Sequence, residues 1–92
     1  MFKKKEDDVP EERKQAIFLK IRPILAEELK INEDKISRTS KISEDLDADS
    51  LDSTEITMAL EEAFNIEILD PEAEKMNTVE DIVVYLATMI PE

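Results

Sequence analysis

The sequence has 92 residues, enough for one small domain, and contains neither cysteine nor histidine. Without cysteine there is no disulfide, thiolate metal site or thiol nucleophile, and without histidine the usual activator of a serine near neutral pH is missing. The net charge of −12 is lopsided: residues 1–41 hold 11 basic and 9 acidic side chains, whereas residues 42–92 set Lys75 alone against 15 acids, a field that repels nucleic acid and attracts basic protein surfaces.

The N-terminal Met-Phe-Lys-Lys-Lys-Glu-Asp-Asp lacks the apolar run of a secretory signal, and no stretch approaches the roughly 20 apolar residues that span a bilayer. A cytoplasmic protein without membrane insertion is expected. Residues 1–8 read as a flexible charged N-terminus and residues 9–92 as the folded domain. The absence of glycine removes the usual phosphate-cradling loops and is expected to deny helices their left-handed glycine caps.

Ile17, Phe18, Ile21, Ile24, Leu25 and Leu29 recur at the three- and four-residue spacing of a buried helical stripe, predicting a first helix that ends near Leu29. Pro23 falls inside it, lacks an N–H and crowds the Leu19 carbonyl, so a kink or break is expected there. Residues 30–49 read as a long ordered connection whose Ile31, Ile36, Ile42 and Leu46 pin it to the core. A second helix is predicted from Asp49 as N-cap, with Asp52 three residues on, to about Phe64. Its inward face is Ile56, Ala59, Leu60, Ala63 and Phe64, which leaves Leu51 and Met58 exposed. Asp70-Pro71-Glu72 signals a short third helix with Asp70 as cap. Thr78-Val79-Glu80-Asp81 resembles a capping box and opens a last helix carrying Val79, Ile82, Val83, Leu86 and Ile90 on one side. The expected fold is all-α, a four-helix bundle with a long first loop and a short third helix.

Asp47-Ala48-Asp49-Ser50-Leu51-Asp52 puts a hydroxyl at the start of an acidic helix. Taken alone, the tripeptide Asp-Ser-Leu fits an ordinary first-turn serine. Asp45, Asp47 and Asp49 alternate like the first ligands of a calcium loop, but counting from Asp45 the sixth position holds Ser50 instead of glycine and the twelfth holds Ile56 instead of glutamate, so no metal site is expected. No carboxylate lies in an apolar stretch that would raise its pKa to a working range, so a catalytic acid pair is not expected either.

The run Asp45-Leu46-Asp47-Ala48-Asp49-Ser50-Leu51-Asp52, then Met58-Ala59-Leu60-Glu61-Glu62 and Phe64, then Ile66-Glu67-Ile68, Asp70 to Lys75 and Thr78 to Asp81, resembles the acyl carrier proteins of type II fatty-acid synthesis. The resemblance spans about Ile17 to Leu86 and rests on the order of its matches. It implies a non-enzymatic carrier whose Ser50 bears 4'-phosphopantetheine, joined from coenzyme A by a phosphopantetheinyl transferase, with acyl groups held as thioesters on that arm. It further implies partner contacts through Asp49, Leu51, Asp52, Glu55, Met58, Glu61, Glu62, Asp70 and Glu74, facing basic patches on fatty-acid synthesis enzymes, and an acyl cavity lined by Ile56, Leu60, Phe64, Ile68 and Ile82. A monomer is expected. The alternatives are a carrier dedicated to a polyketide, lipid A or another specialised product, and an acidic adaptor without a prosthetic group. Asp47 stands where the family usually has glycine and Thr54 where it usually has an apolar residue. With Pro23 and about a dozen extra N-terminal residues, these departures favour a specialised carrier.

Overall fold

The computed structural model describes residues 9–90, so the charged segment 1–8 lies outside the described residues. Among the described residues four α-helices follow in order: α1 (Glu11–Leu29), α2 (Ser50–Phe64), α3 (Asp70–Ala73) and α4 (Val79–Met89), with a 3₁₀ turn at Glu33–Lys35 inside the long first loop. Helix α1 packs against both α2 and α4. The core between them is one cluster in which Ile21, Leu25, Leu60, Val79, Ile82, Val83 and Leu86 are almost wholly excluded from water.

Helix α1 starts at Pro10, whose carbonyl accepts from the N–H groups of Arg13 and Lys14, both at 3.1 Å. It then buries Ile17, Phe18, Ile21, Leu25 and Ala26, while Ile24 and Leu29 are half-buried at the margin of the stripe. The expected break at Pro23 does not occur, and the helix runs through it. Both Pro23 and Leu19, whose carbonyl lacks the helical donor that Pro23 cannot supply, lie on the exposed side, while buried Ile21 and Leu25 hold the helix to the core.

The absence of glycine does not prevent left-handed helix ends. Lys30 closes α1 at φ 58° and Asn65 closes α2 at φ 56°, their N–H groups donating to the carbonyls of Ala26 and Glu61. Asparagine tolerates this conformation better than most residues, whereas Lys30 adopts it against its preference because the last carbonyls of α1 need donors.

The first loop is a strap across the bundle. Ile36, Ile42, Leu46 and Ala48 are buried and Ile31 half-buried. The Ile42 N–H donates to the Asn77 carbonyl at 2.9 Å, Val79 N–H to Ser40 at 3.0 Å and Glu80 N–H to Arg38 at 2.9 Å, so the loop is stitched to the start of α4. Arg38 reinforces the seam. Its Nε and Nη2 donate to the two carboxylate oxygens of Glu80 at 2.8 and 3.0 Å, and its guanidinium also pairs with Glu11. This fork geometry is what a planar guanidinium supplies and a lysine does not.

Helix α3 begins one residue earlier than the sequence suggests. Leu69 is the cap, Asp70 the first helical residue and Pro71 the second, so Asp70 does not act as a capping side chain. Helix α4 opens as expected: Thr78 Oγ1 accepts from Asp81 N–H at 3.1 Å, and an Asp81 carboxylate oxygen accepts from Thr78 N–H at 3.0 Å. In α2, Ile56 and Leu60 point inward as expected, Ala59 and Phe64 are half-buried, and Ala63 is exposed, a correction to the expected inward face.

Candidate functional site

The site grows out of the junction between the strap and α2. Asp45 turns back to accept the Lys41 N–H at 2.8 Å, and Ala48 is buried with its N–H donating to the Ile42 carbonyl at 3.1 Å. Asp47, between them, sits at φ 60°. Standing where the family usually has glycine, the aspartate itself takes the left-handed conformation that glycine would otherwise supply. The chain leaves this turn into Asp49, whose Oδ1 accepts from Asp52 N–H at 2.8 Å while its own N–H donates to Asp52 Oδ2 at 3.2 Å. The reciprocal capping box locks the first turn of α2, and Ser50 is the first helical residue, exposed to solvent.

From Ser50 an open groove of about 890 Å³ runs along α2, toward α3 and the segment that leads into α4. Its α2 wall holds Ser50, Ser53, Thr54, Thr57, Met58 and Glu61, and its far side includes the apolar Ile68, Ala73 and Met76 beside Asp70, Glu74 and Asn77. Of the five residues expected to line an acyl cavity, Ile68 stands on this groove. Ile56, Leu60 and Ile82 lie in the closed core at 3%, 0% and 1% exposure, and half-buried Phe64 packs against that core. The reason is angular: from Ser50 the helical repeat carries positions 54, 57 and 61 along one stripe, whereas 56, 60 and 64 lie on the stripe turned toward α1. Thr57 escaped the sequence reading because a threonine between apolar neighbours carries no periodic signal; the spacing from Ser50 was the signal that could have found it.

The expected partner-contact residues divide into two groups. Leu51 and Met58 are 65% and 58% exposed, and Asp49, Glu55, Glu62, Asp70 and Glu74 are exposed with them. Asp52 and Glu61 are half-buried and engaged within the protein: Asp52 in the capping box, and Glu61 through Oε2, which accepts the Ile68 N–H at 2.8 Å. Among the described residues no group of three or more histidine, cysteine or acidic side chains converges as a metal site would require.

A family model described as phosphopantetheine attachment site matches residues 20–86. An acyl carrier protein of Wolinella succinogenes is 53% identical over 73 residues, covering 79% of this chain and 96% of the relative. Acyl carrier proteins of Campylobacter lari and Akkermansia muciniphila are 47% and 48% identical over 74 and 67 residues, covering 80% and 73% of this chain and 96% and 84% of their own. The chain belongs to the phosphopantetheine-attachment family and, within it, to the acyl carrier proteins. It is thus a carrier and not a catalyst, served by a covalently attached 4'-phosphopantetheine, and it works with a transferase and the enzymes of fatty-acid synthesis. The helical fold agrees, and among the described residues no helix is long and apolar enough to cross a membrane.

The residues present fit the prosthetic group. An exposed serine hydroxyl at the first position of a 15-residue helix meets the positive end of the helix dipole, which favours a phosphodiester there. Asp47 and Asp49 beside it act in the opposite sense, so a phosphodiester at this serine would be held by geometry more than by attraction.

Proposed function

We propose that Ser50 is the attachment point of 4'-phosphopantetheine and that the protein delivers acyl groups to fatty-acid synthesis enzymes in the cytoplasm as a monomer. The observation that carries this reading is the placement of Ser50: exposed, fixed by the Asp49–Asp52 capping box, and opening directly onto the groove along α2. During loading, the Ser50 oxygen bonds to the phosphorus that coenzyme A presents, the bond to the nucleotide portion breaks, and the serine proton passes to the transferase. In-line placement and charge neutralisation, with magnesium in its own site, belong to that enzyme, so the carrier needs no base of its own. The bound arm supplies a thiol on which acyl groups travel as thioesters.

The exposed acids Asp49, Glu55, Glu62, Asp70 and Glu74 surround Leu51 and Met58, a surface suited to enzymes that present a basic patch around an apolar contact. Asp52 and Glu61 belong to this surface chiefly by holding its backbone. Exposed ion pairs give steering and about 0–1 kcal/mol each, which suits a carrier that must leave every partner quickly.

Intact-protein mass after incubation with coenzyme A, magnesium and a broad-specificity phosphopantetheinyl transferase tests the assignment. The natural sequence gains the mass of one phosphopantetheine and Ser50→Ala gains none. Absence of gain with several transferases would instead favour an unmodified acidic adaptor.

A further inference from the structure

The groove that opens at Ser50 is not a simple apolar slot. Ser50, Thr54, Thr57 and Glu61 stand at i, i+4, i+7 and i+11 on one stripe of α2, all on the groove wall, and at 1.5 Å rise per residue the stripe extends about 16 Å from the serine. The Thr54 hydroxyl donates to the Ser50 carbonyl at 3.1 Å, and the Thr57 hydroxyl donates to the Ser53 carbonyl at 2.9 Å. A threonine hydroxyl has one proton, and in both residues it is committed to the helix, so what each presents to the groove is lone pairs. Glu61 adds a carboxylate, another acceptor, already holding the Ile68 N–H. The stripe therefore turns acceptors to the groove, with Ser53 beside it on the same wall and a far side that includes the apolar Ile68, Ala73 and Met76.

We infer that the groove selects among tethered acyl groups by hydrogen bonding, retaining one that carries a hydroxyl donor in preference to a saturated chain of equal length. This rests on the reading that Ser50 bears the arm, which places the acyl group at this groove. A saturated chain laid on the stripe covers the threonine oxygens and removes their water without replacing it, which is unfavourable for any polar group. A hydroxylated chain meets the same oxygens with the donor they lack, while its carbon skeleton rests on the opposite wall.

The test uses the full chain loaded at Ser50 with octanoyl or 3-hydroxyoctanoyl phosphopantetheine, loading being verified by intact mass. Thioester cleavage by neutral hydroxylamine is measured against the same thioesters on free pantetheine, so that intrinsic reactivity cancels. The hydroxyacyl form is expected to be protected about fivefold more than the saturated form, the factor that one net hydrogen bond supplies. The backbone amide resonances of Thr54 and Thr57 shift most with the hydroxyacyl group. In Thr57→Val, which keeps shape and helix propensity, the advantage disappears. Equal or better protection of the saturated chain, or a hydroxyl advantage that survives in Thr57→Val, overturns the inference. Failure of the natural sequence to accept any arm overturns the Ser50 assignment instead, and the mass measurement separates the two.

Discussion

Among the described residues, three without glycine's freedom sit in the left-handed region: Lys30, Asp47 and Asn65. Asp47 has the most direct bearing on function, because its turn aims Ser50. A left-handed conformation costs a residue with a β-carbon about 1–2 kcal/mol, less for aspartate and asparagine than for branched side chains. Asp47→Gly is accordingly expected to stabilise the fold by about 0.5 kcal/mol, part of the relief being offset by the greater freedom of the unfolded chain, whereas Asp47→Val destabilises it by about 1–2 kcal/mol. Urea unfolding midpoints of the two variants distinguish a strained turn from a relaxed one, which would leave the glycine variant less stable than the natural sequence.

At the scale of elements, the fate of Glu61 shows how one carboxylate can serve the backbone while belonging to an acidic surface. It reaches across the α2–α3 connection to the N–H of buried Ile68. Glu61→Ala strands that donor and is expected to cost about 1–2 kcal/mol, while Glu62→Ala, at an exposed site, changes stability by less than about 0.5 kcal/mol. Thermal unfolding of the pair decides the matter: equal effects would mean that the Glu61 contact contributes nothing.

The four helices, the Asp49 and Thr78 caps, the exposed Leu51 and Met58 and the pinned loop were all legible in the sequence, because each is written in local spacing and capping chemistry. What was not legible depended on three-dimensional context. Whether Pro23 breaks a helix depends on whether its orphaned carbonyl meets water or core. The one-residue error at Asp70 arose because a four-residue helix offers no periodicity to fix its start. The groove wall differed from the expected Ile56, Leu60 and Ile82 because an apolar residue near a helical site reads the same whether it lines a cavity or fills a core.

Over the whole molecule, Arg38 joins parts that the charge distribution would otherwise push apart. It links the strap to Glu80 on α4 and to Glu11 on α1, with Lys14 a further 3.6 Å neighbour of Glu80. Hydrogen bonding from the Arg38 guanidinium holds both carboxylates below the ordinary glutamate value of 4.5. Groups lowered in the folded state stabilise it above their unfolded pKa, and that contribution fades as pH falls through 4.5 toward their folded values. Arg38→Met is therefore expected to cost about 1–2 kcal/mol at pH 7, chiefly through the fork to half-buried Glu80, and progressively less below about pH 4. Urea titrations of both proteins across pH 3–7 check this; a difference independent of pH would assign the loss to packing of the arginine stem.

The same clasp bears on time as well as energy. Its partners are separated by 27 and 42 positions along the chain, so it closes two large loops whose entropy must be overcome before the contact returns anything. Such a contact belongs to the downhill side of the folding barrier. Its removal is expected to leave the refolding rate nearly unchanged and to speed unfolding, shortening the life of the folded state through a contact far from Ser50.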